Sequence, residues 1–337
     1  MQTLKHLNTQ RFLFIGLGFE LSLVLNHLLK SAPHLKYNIA FTRQSSQKAI
    51  KQSQKIEIPY YLNNESAIEN FKPDIIFVGV KPQDLAEVLF DIKNASFNWK
   101  HLISIVASTP FDLLCQLFTQ KKITCVLPDD VIEMNNPKCI VDYCSNIQND
   151  KLIKTIFYPT CKKMVKVKPA EMVFYNAAIC QGNPLLALTS RLYRGHWSQF
   201  PKYVNSFFTE LINCLSKQNS VKATKSLAQQ LAEGYLKYAP ELPMRSQIFK
   251  EVLVFVFEKM LLRTDYQKMD KATLLNQFSL WATPGGLDEI GHETVTTYLG
   301  EKHHDFVQLP TILMKAIIKR GNSLEQQIID DYSLLES

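Results

Sequence analysis

Apolar side chains in the first half of the chain fall into short unbroken runs, and these alternate with segments of helical spacing. Arg11-Phe-Leu-Phe-Ile15 is such a run and ends at Gly16. A run of this length that stops at a glycine suits a strand buried on both faces. Phe19 to Leu29 then carries apolar residues at helical spacing, and Tyr37-Asn-Ile-Ala-Phe-Thr42 predicts a second strand. Strand, glycine turn, helix and strand make a βαβ unit. The alternation continues with strands predicted over 73–80 and 101–106 and helices over 84–90 and 111–118. Further strands are expected at 122–126, 139–143 and 164–167. Such alternation predicts a largely parallel, doubly wound sheet covered on both faces.

After Pro169 the pattern changes. Segments 170–192, 204–215, 223–238, 246–263 and 271–281 all show helix-compatible spacing, and few β-rich runs remain. The expected organisation is an α/β domain over 1–168 followed by an all-helical domain over 169–337.

The turn between the first strand and helix carries the first chemical signal. Gly16-Leu-Gly18-Phe-Glu-Leu21 supplies two glycines of a dinucleotide fingerprint. The first permits the tight turn, and the second lets backbone amides approach a pyrophosphate at the helix N-terminus. The third position calls for glycine or alanine but holds Leu21, whose bulk is expected to crowd the helix against the sheet. Glu20 adds a carboxylate near the expected phosphates. At the end of the second strand, an acidic residue would hold a ribose 2′-hydroxyl, whereas arginine suits a 2′-phosphate. This chain has Arg43, with Ser45, Ser46 and Lys48 close behind. That arrangement favours NADP, with NADPH preferred to NADH.

Composition narrows the remaining classes. The net charge is +7, but the lysines between Lys151 and Lys168 lack interleaved aromatics and any nucleic-acid motif. They read as a solvated surface, so no nucleic-acid partner is expected. No apolar stretch is long enough to cross a membrane; Val252 to Leu262 is interrupted by Glu258 and Lys259. The first ten residues are polar without a secretion-signal core, which makes the expected location the cytoplasm. Seven scattered cysteines without a Cys-x-x-Cys pair read as free thiols, and His303-His304-Asp305 as a turn rather than a metal site.

Three further stretches resemble one family, in its order and across nearly the whole chain. Val80-Lys81-Pro82-Gln83 is similar to the Val-Lys-Pro-Gln segment of pyrroline-5-carboxylate reductases. Gly182-Asn183-Pro184 lies where that family starts a helix with Gly-Ser-Gly-Pro, and Thr283-Pro284-Gly285-Gly286 resembles its Ser-Pro-Gly-Gly loop. The resemblance implies a Rossmann-like domain followed by a helical dimerisation domain. It implies reduction of a small cyclic imine by NAD(P)H, in a homodimer or larger homo-oligomer with active sites across the interface. The fingerprint puts Gly16, Gly18, Phe19 and Glu20 at the cofactor phosphates, and by the resemblance Val80, Lys81 and Pro82 lie by its nicotinamide half. Gly285 and Gly286 then offer amides to a substrate carboxylate. Thr283, Leu287, Asp288, Pro128 and Asp129 complete the substrate site, with Asp288 the candidate catalytic group.

The chain departs from the family where substrate binds. Two threonines follow Pro-Gly-Gly in the family; here Leu287 and Asp288 stand there, and the family's Met-Pro-Asn is Leu127-Pro128-Asp129. An aspartate there repels a substrate carboxylate but suits an iminium. Gly182 and Gly285 also lie farther apart than in the family, implying an insertion around 193–240. Two other functions stay open: a dimeric cofactor-binding sensor or scaffold that has lost turnover, and another two-domain dehydrogenase. The last needs an acid or base in the helical domain, where His196 stands beside Trp197.

Overall fold

The structure is a computed structural model that describes residues 7, 9–128, 139–148, 151–157, 161–180, 228–229, 232–233, 236, 250–254, 285–300 and 309–337. Two compact units divide the chain. One comprises Met1–Met172 with Ser323–Ser337, the other Val173–Asn322.

The first unit is built on an eight-stranded sheet. Its strands are β1 (Phe12–Ile15), β2 (Ile39–Thr42), β3 (Tyr60–Tyr61), β4 (Ile75–Val78), β5 (His101–Ser104), β6 (Lys122–Pro128), β7 (Cys139–Ser145) and β8 (Cys161–Lys166), in the order β3-β2-β1-β4-β5-β6-β7-β8. All neighbours pair in parallel except β6 and β7. The first six positions follow the doubly wound order of dinucleotide-binding domains, as the apolar pattern implied. Every residue of β1, β2, β4 and β5 is buried, which is why these strands read as continuous apolar runs rather than alternating ones. Phe14 and Phe77 stand opposite each other on β1 and β4, with ring centroids 4.7 Å apart.

Helices α1 (Phe19–Ser31), α2 (Ser46–Ile56), α3 (Asn64–Phe71), α4 (Leu85–Asn94), α5 (Phe111–Leu117) and α6 (Lys151–Phe157) connect the strands. The sequence pattern left α2, β3, α3 and α6 unread. In α2 only Ala49 is fully buried, so its eleven residues carry too thin an apolar stripe to register. Asn63 caps α3 by accepting the Ser66 N–H at 2.8 Å, a start signal independent of periodicity.

Helix α7 (Met172–Cys180) begins the segment expected to be helical, and 250–254 falls inside a predicted helix. The helices expected at 204–215 and 271–281, His196, His303 and His304 lie outside the described residues, as does most of the expected insertion. Two carboxy-terminal helices went unread in the sequence, α8 (Leu287–Gly300) and α9 (Leu309–Glu336). The last part of α9 belongs to the sheet unit: Ile328 and Tyr332 are buried in its core beside Leu13, Ile76 and Leu102. Tyr332 Oη donates to Glu336, whose carboxylate also accepts from Lys93 of α4. The expected single boundary near 168 would put this tail in the second domain; here it packs with the first unit. Among the described residues no helix is long and apolar enough to cross a membrane.

Candidate functional site

Strand order reverses between β1 and β4, and ligands of open α/β sheets bind outside the carboxyl ends of strands at such a point. Gly16 leaves β1 there with φ +74°, in the left-handed region that favours glycine. Its N–H donates to Thr42 Oγ1 at 3.3 Å, and the next N–H, of Leu17, donates to the Thr42 carbonyl at 3.1 Å. A Cβ on Gly16 would stand 2.3 Å from Val80 Cγ1, so the loop after β4 is packed onto this turn. Val80 is thus brought to the turn. Lys81 is exposed and starts the short 3-10 turn Pro82–Asp84, in which Pro82 is buried.

Gly18 differs in kind. It caps α1 in extended conformation without a side-chain hydrogen bond, and a Cβ there would meet nothing closer than the Gly16 carbonyl at 3.7 Å. Among the described residues nothing requires a glycine at this position. This position lies at the start of a thirteen-residue helix whose first N–H groups have no intrahelical acceptor. A pyrophosphate has the charge and the acceptors for such a place, so the residues present fit a dinucleotide. Phe19 is exposed at this end, and Glu20 is half-buried in the first turn.

The structure corrects the expectation that Leu21 crowds α1 against the sheet. Leu21 is fully buried, and its room comes from Gly79, just past β4. A Cβ on Gly79 would lie 2.3 Å from Leu21 Cγ and 2.6 Å from Cδ1. Close helix–sheet approach needs one small residue at the contact, and here it stands on the sheet side.

At the end of β2, Arg43 holds its backbone through an N–H donated to the Tyr61 carbonyl at 3.3 Å. Its Nη1 donates to Gln52 Oε1 on α2 at 2.5 Å. Ser45 serves as the N-cap of α2, accepting the Lys48 N–H at 3.5 Å. Arg43 therefore stands close in sequence to a second helix start, where a phosphate is electrostatically favoured. Beneath the Gly16 turn, Thr42 Oγ1 donates to Asn64 Oδ1 at 2.7 Å, and Asn64 Nδ2 donates to Asp91 Oδ2 at 2.9 Å. Sequence reasoning missed Ser22, Thr42, Gln52, Asn64 and Asp91. Only Thr42 carried a signal, as a hydroxyl on the last residue of an apolar strand.

Past β5, Ser108 adopts φ +60° although it is not glycine, and is 8% exposed. Among the described residues its hydroxyl has no hydrogen-bond partner. Pro128 ends β6 opposite Val141, and Asp129 lies outside the described residues.

In the second unit, Gly285 turns with φ +73° into α8. Its N–H, expected to be offered to a substrate carboxylate, donates to Glu289 Oε2 at 2.5 Å. Its carbonyl accepts from Arg320 Nε at 2.8 Å. Gly286 and Leu287 are buried, and the Gly286 carbonyl accepts the Ile290 N–H at 3.4 Å. Asp288 falls in the first turn of α8 with its side chain outside the described residues, as is Thr283 altogether. Among the described residues there is no cluster of three potential metal ligands.

Comparison with known proteins agrees with the fold of the first unit. Residues 11–108 match the family described as NADP oxidoreductase, coenzyme F420-dependent. No curated protein matches the chain at a significant level. Solved structures of similar form include pyrroline carboxylate reductase of Plasmodium falciparum with NADP bound, 16% identical, covering 94% of this chain and 99% of that one with a TM-score of 0.48. Pyrroline-5-carboxylate reductase of Coxiella burnetii is 17% identical, with 94% and 98% covered and a TM-score of 0.46. Glycerol-3-phosphate dehydrogenase of the same organism is 11% identical, with 97% and 95% covered and a TM-score of 0.48. Residues 11–108 thus combine the doubly wound sheet order with the family match of an NADP oxidoreductase domain.

Proposed function

We propose that the protein is an NADPH-dependent oxidoreductase that reduces the C=N bond of a small imine. The observation that carries this reading is the pair formed by the Gly18 turn, without a side-chain cap and with room for a Cβ, and Arg43 at the end of β2. In it, the amides of the Gly16–Glu20 turn hold the pyrophosphate, and Arg43 with Ser45 grips the 2′-phosphate. Val80, Lys81 and Pro82 flank the nicotinamide. A bound nicotinamide supplies the hydride, so the chain's own task is placement: reacting atoms held in line and water kept out. The imine assignment is supported by the order of the Val-Lys-Pro-Gln and Pro-Gly-Gly motifs along the chain.

For the substrate, we read the Gly285 turn as adapted to imines without a carboxylate. Glu289 already fills the Gly285 N–H, so a carboxylate ligand has to displace a charge-assisted hydrogen bond. Asp288 adds a second negative group, which favours a protonated imine and opposes an anion. Thr283, Pro128 and Asp129 are proposed to complete this site, and the helical segments, Ser246 to Arg263 among them, to form a homodimer. That segment carries apolar residues over too many faces for a solvent-exposed helix. Sedimentation at micromolar concentration tests the dimer.

The deciding experiment follows NADPH oxidation by absorbance with pyrroline-5-carboxylate and with a carboxylate-free pyrroline. Faster turnover of the carboxylate-free imine is the expected result. Tight NADPH binding with no oxidation by either substrate points instead to a sensor or scaffold, the reading that Glu289's occupation of the turn also favours. Replacing Leu287 and Asp288 together by threonine is expected to raise turnover of the carboxylate substrate.

A further inference from the structure

One polar relay joins the two ends of the cofactor site. It begins at the Gly18 carbonyl, which accepts from the Ser22 hydroxyl at 2.5 Å. A serine hydroxyl has one hydrogen to give, so toward any other partner Ser22 Oγ accepts. That other partner is Gln52 Nε2, at 2.9 Å. With its nitrogen committed to Ser22, the Gln52 amide turns its oxygen toward Arg43 and accepts from Nη1 at 2.5 Å. A guanidinium only donates. Turning the amide over would set its nitrogen against that guanidinium and its oxygen against a hydroxyl with no hydrogen left. Each link has one polarity, and the relay has one arrangement.

We propose that Gln52 is a positioning residue that sets NADPH specificity: it aims Arg43 at the 2′-phosphate and couples that grip to the Gly16–Gly18 turn. The proposal rests on the reading of the first unit as an NADPH site. A free arginine side chain gives up rotamer freedom when it grips a phosphate; one already held at Nη1 gives up less. Gln52 takes up one donor and leaves others of the guanidinium fork for phosphate oxygens. Because the amide is neutral, it orients Arg43 without cancelling the charge that the phosphate needs. Gln52 sits in the middle of α2 and Ser22 one turn into α1, so two helices are tied to one carbonyl of the turn.

The test is fluorescence titration of the full chain with NADPH and with NADH, with thermal melting of each variant alongside. Gln52→Ala is expected to weaken NADPH roughly tenfold, as loss of one oriented charge-assisted contact would, and to change NADH by less than about twofold. Gln52→Glu is expected to weaken NADPH further, because its carboxylate pairs with Arg43, opposes the phosphate and cannot donate to Ser22. Ser22→Ala is expected to weaken NADPH in the unmodified background and to have no further effect on it beside Gln52→Ala. A merely structural role would weaken both cofactors alike, and that result overturns the proposal. So does a gain in NADPH affinity from Gln52→Ala, which would mean that Gln52 withholds Arg43. If NADPH preference is abolished by Arg43→Ala yet untouched by either Gln52 variant, the relay falls while the cofactor assignment stands. Should the unmodified chain bind neither cofactor, the assignment falls and takes the relay with it.

Discussion

Two glycine turns in this chain share a left-handed φ before a helix and differ in what the chain places around them. Gly16 has φ +74° and leads to α1; Gly285 has φ +73° and leads to α8. At the first, the helix starts at Gly18 with no side-chain cap, and a Cβ there would make only ordinary contact with the Gly16 carbonyl. At the second, the chain's own groups are already in place: Glu289 on the N–H and Arg320 on the carbonyl of Gly285. A left-handed glycine before a helix makes an anion-shaped turn. Whether a ligand gets the turn depends on which carboxylates the chain places within reach.

The sharpest way to break this contrast is to add one methyl group at a time. Gly16→Ala strains a left-handed backbone and drives Cβ to 2.3 Å from Val80 Cγ1. The expected loss is about 2–4 kcal/mol of stability in urea unfolding, combining the chirality and overpacking costs. Gly18→Ala, with 3.7 Å to its nearest atom, should alter stability by less than about 0.5 kcal/mol. It should nevertheless weaken cofactor binding, because the methyl group enters the space assigned to phosphate. Equal destabilisation by both substitutions would erase the distinction between a folding glycine and a binding glycine.

Arg43→Ala comes next, with an expected loss of about 1.5–3 kcal/mol in NADPH binding and NADH nearly unchanged. Identical affinities of the unmodified protein for the two cofactors would remove the basis for assigning NADPH. Gly79→Ala is expected to cost about 1–3 kcal/mol of stability by overpacking Leu21. Adding Leu21→Ala should recover part of that loss in a double-mutant cycle, whereas simple additivity would show that the two residues do not share one space. The smallest effect is expected at the second turn. Glu289→Ala removes the carboxylate from Gly285 and should cost about 0.5–1.5 kcal/mol of stability, a charge-assisted hydrogen bond weakened by its partial exposure to solvent. It should also lower the KM for a carboxylate-bearing imine; a KM that stays the same or rises would mean that the Gly285 amide takes no part in binding.

Much of this was legible before any coordinates. β1, β2, β4 and β5 are visible because burial on both faces keeps polar residues to the strand ends, at Thr42, His101 and Ser104. Gly16 and Gly18 were visible because a fingerprint is local: its residues lie within one turn and act through the backbone. The helices that escaped notice are those whose apolar stripe is thin, such as α2. Another is α9, whose core contacts at Ile328 and Tyr332 belong to the far end of the chain.

Leu21 shows where local reading reaches its limit. Judged within its own turn it breaks the fingerprint, but the glycine that compensates is Gly79, on another strand. The same holds for the relay from Arg43 through Gln52 and Ser22 to Gly18, and for Thr42, Asn64 and Asp91 beneath the turn. By itself the sequence determined every strand of the sheet but β3, its glycine turn and the arginine that follows β2, because period, burial and backbone freedom are properties of neighbouring residues. Only the tertiary structure decided which carboxylate caps Gly285, which amide aims Arg43 and which glycine makes room for Leu21. Hydrogen bonds and steric fit act over a few ångströms, and the fold alone brings residues that are distant in the chain within that range.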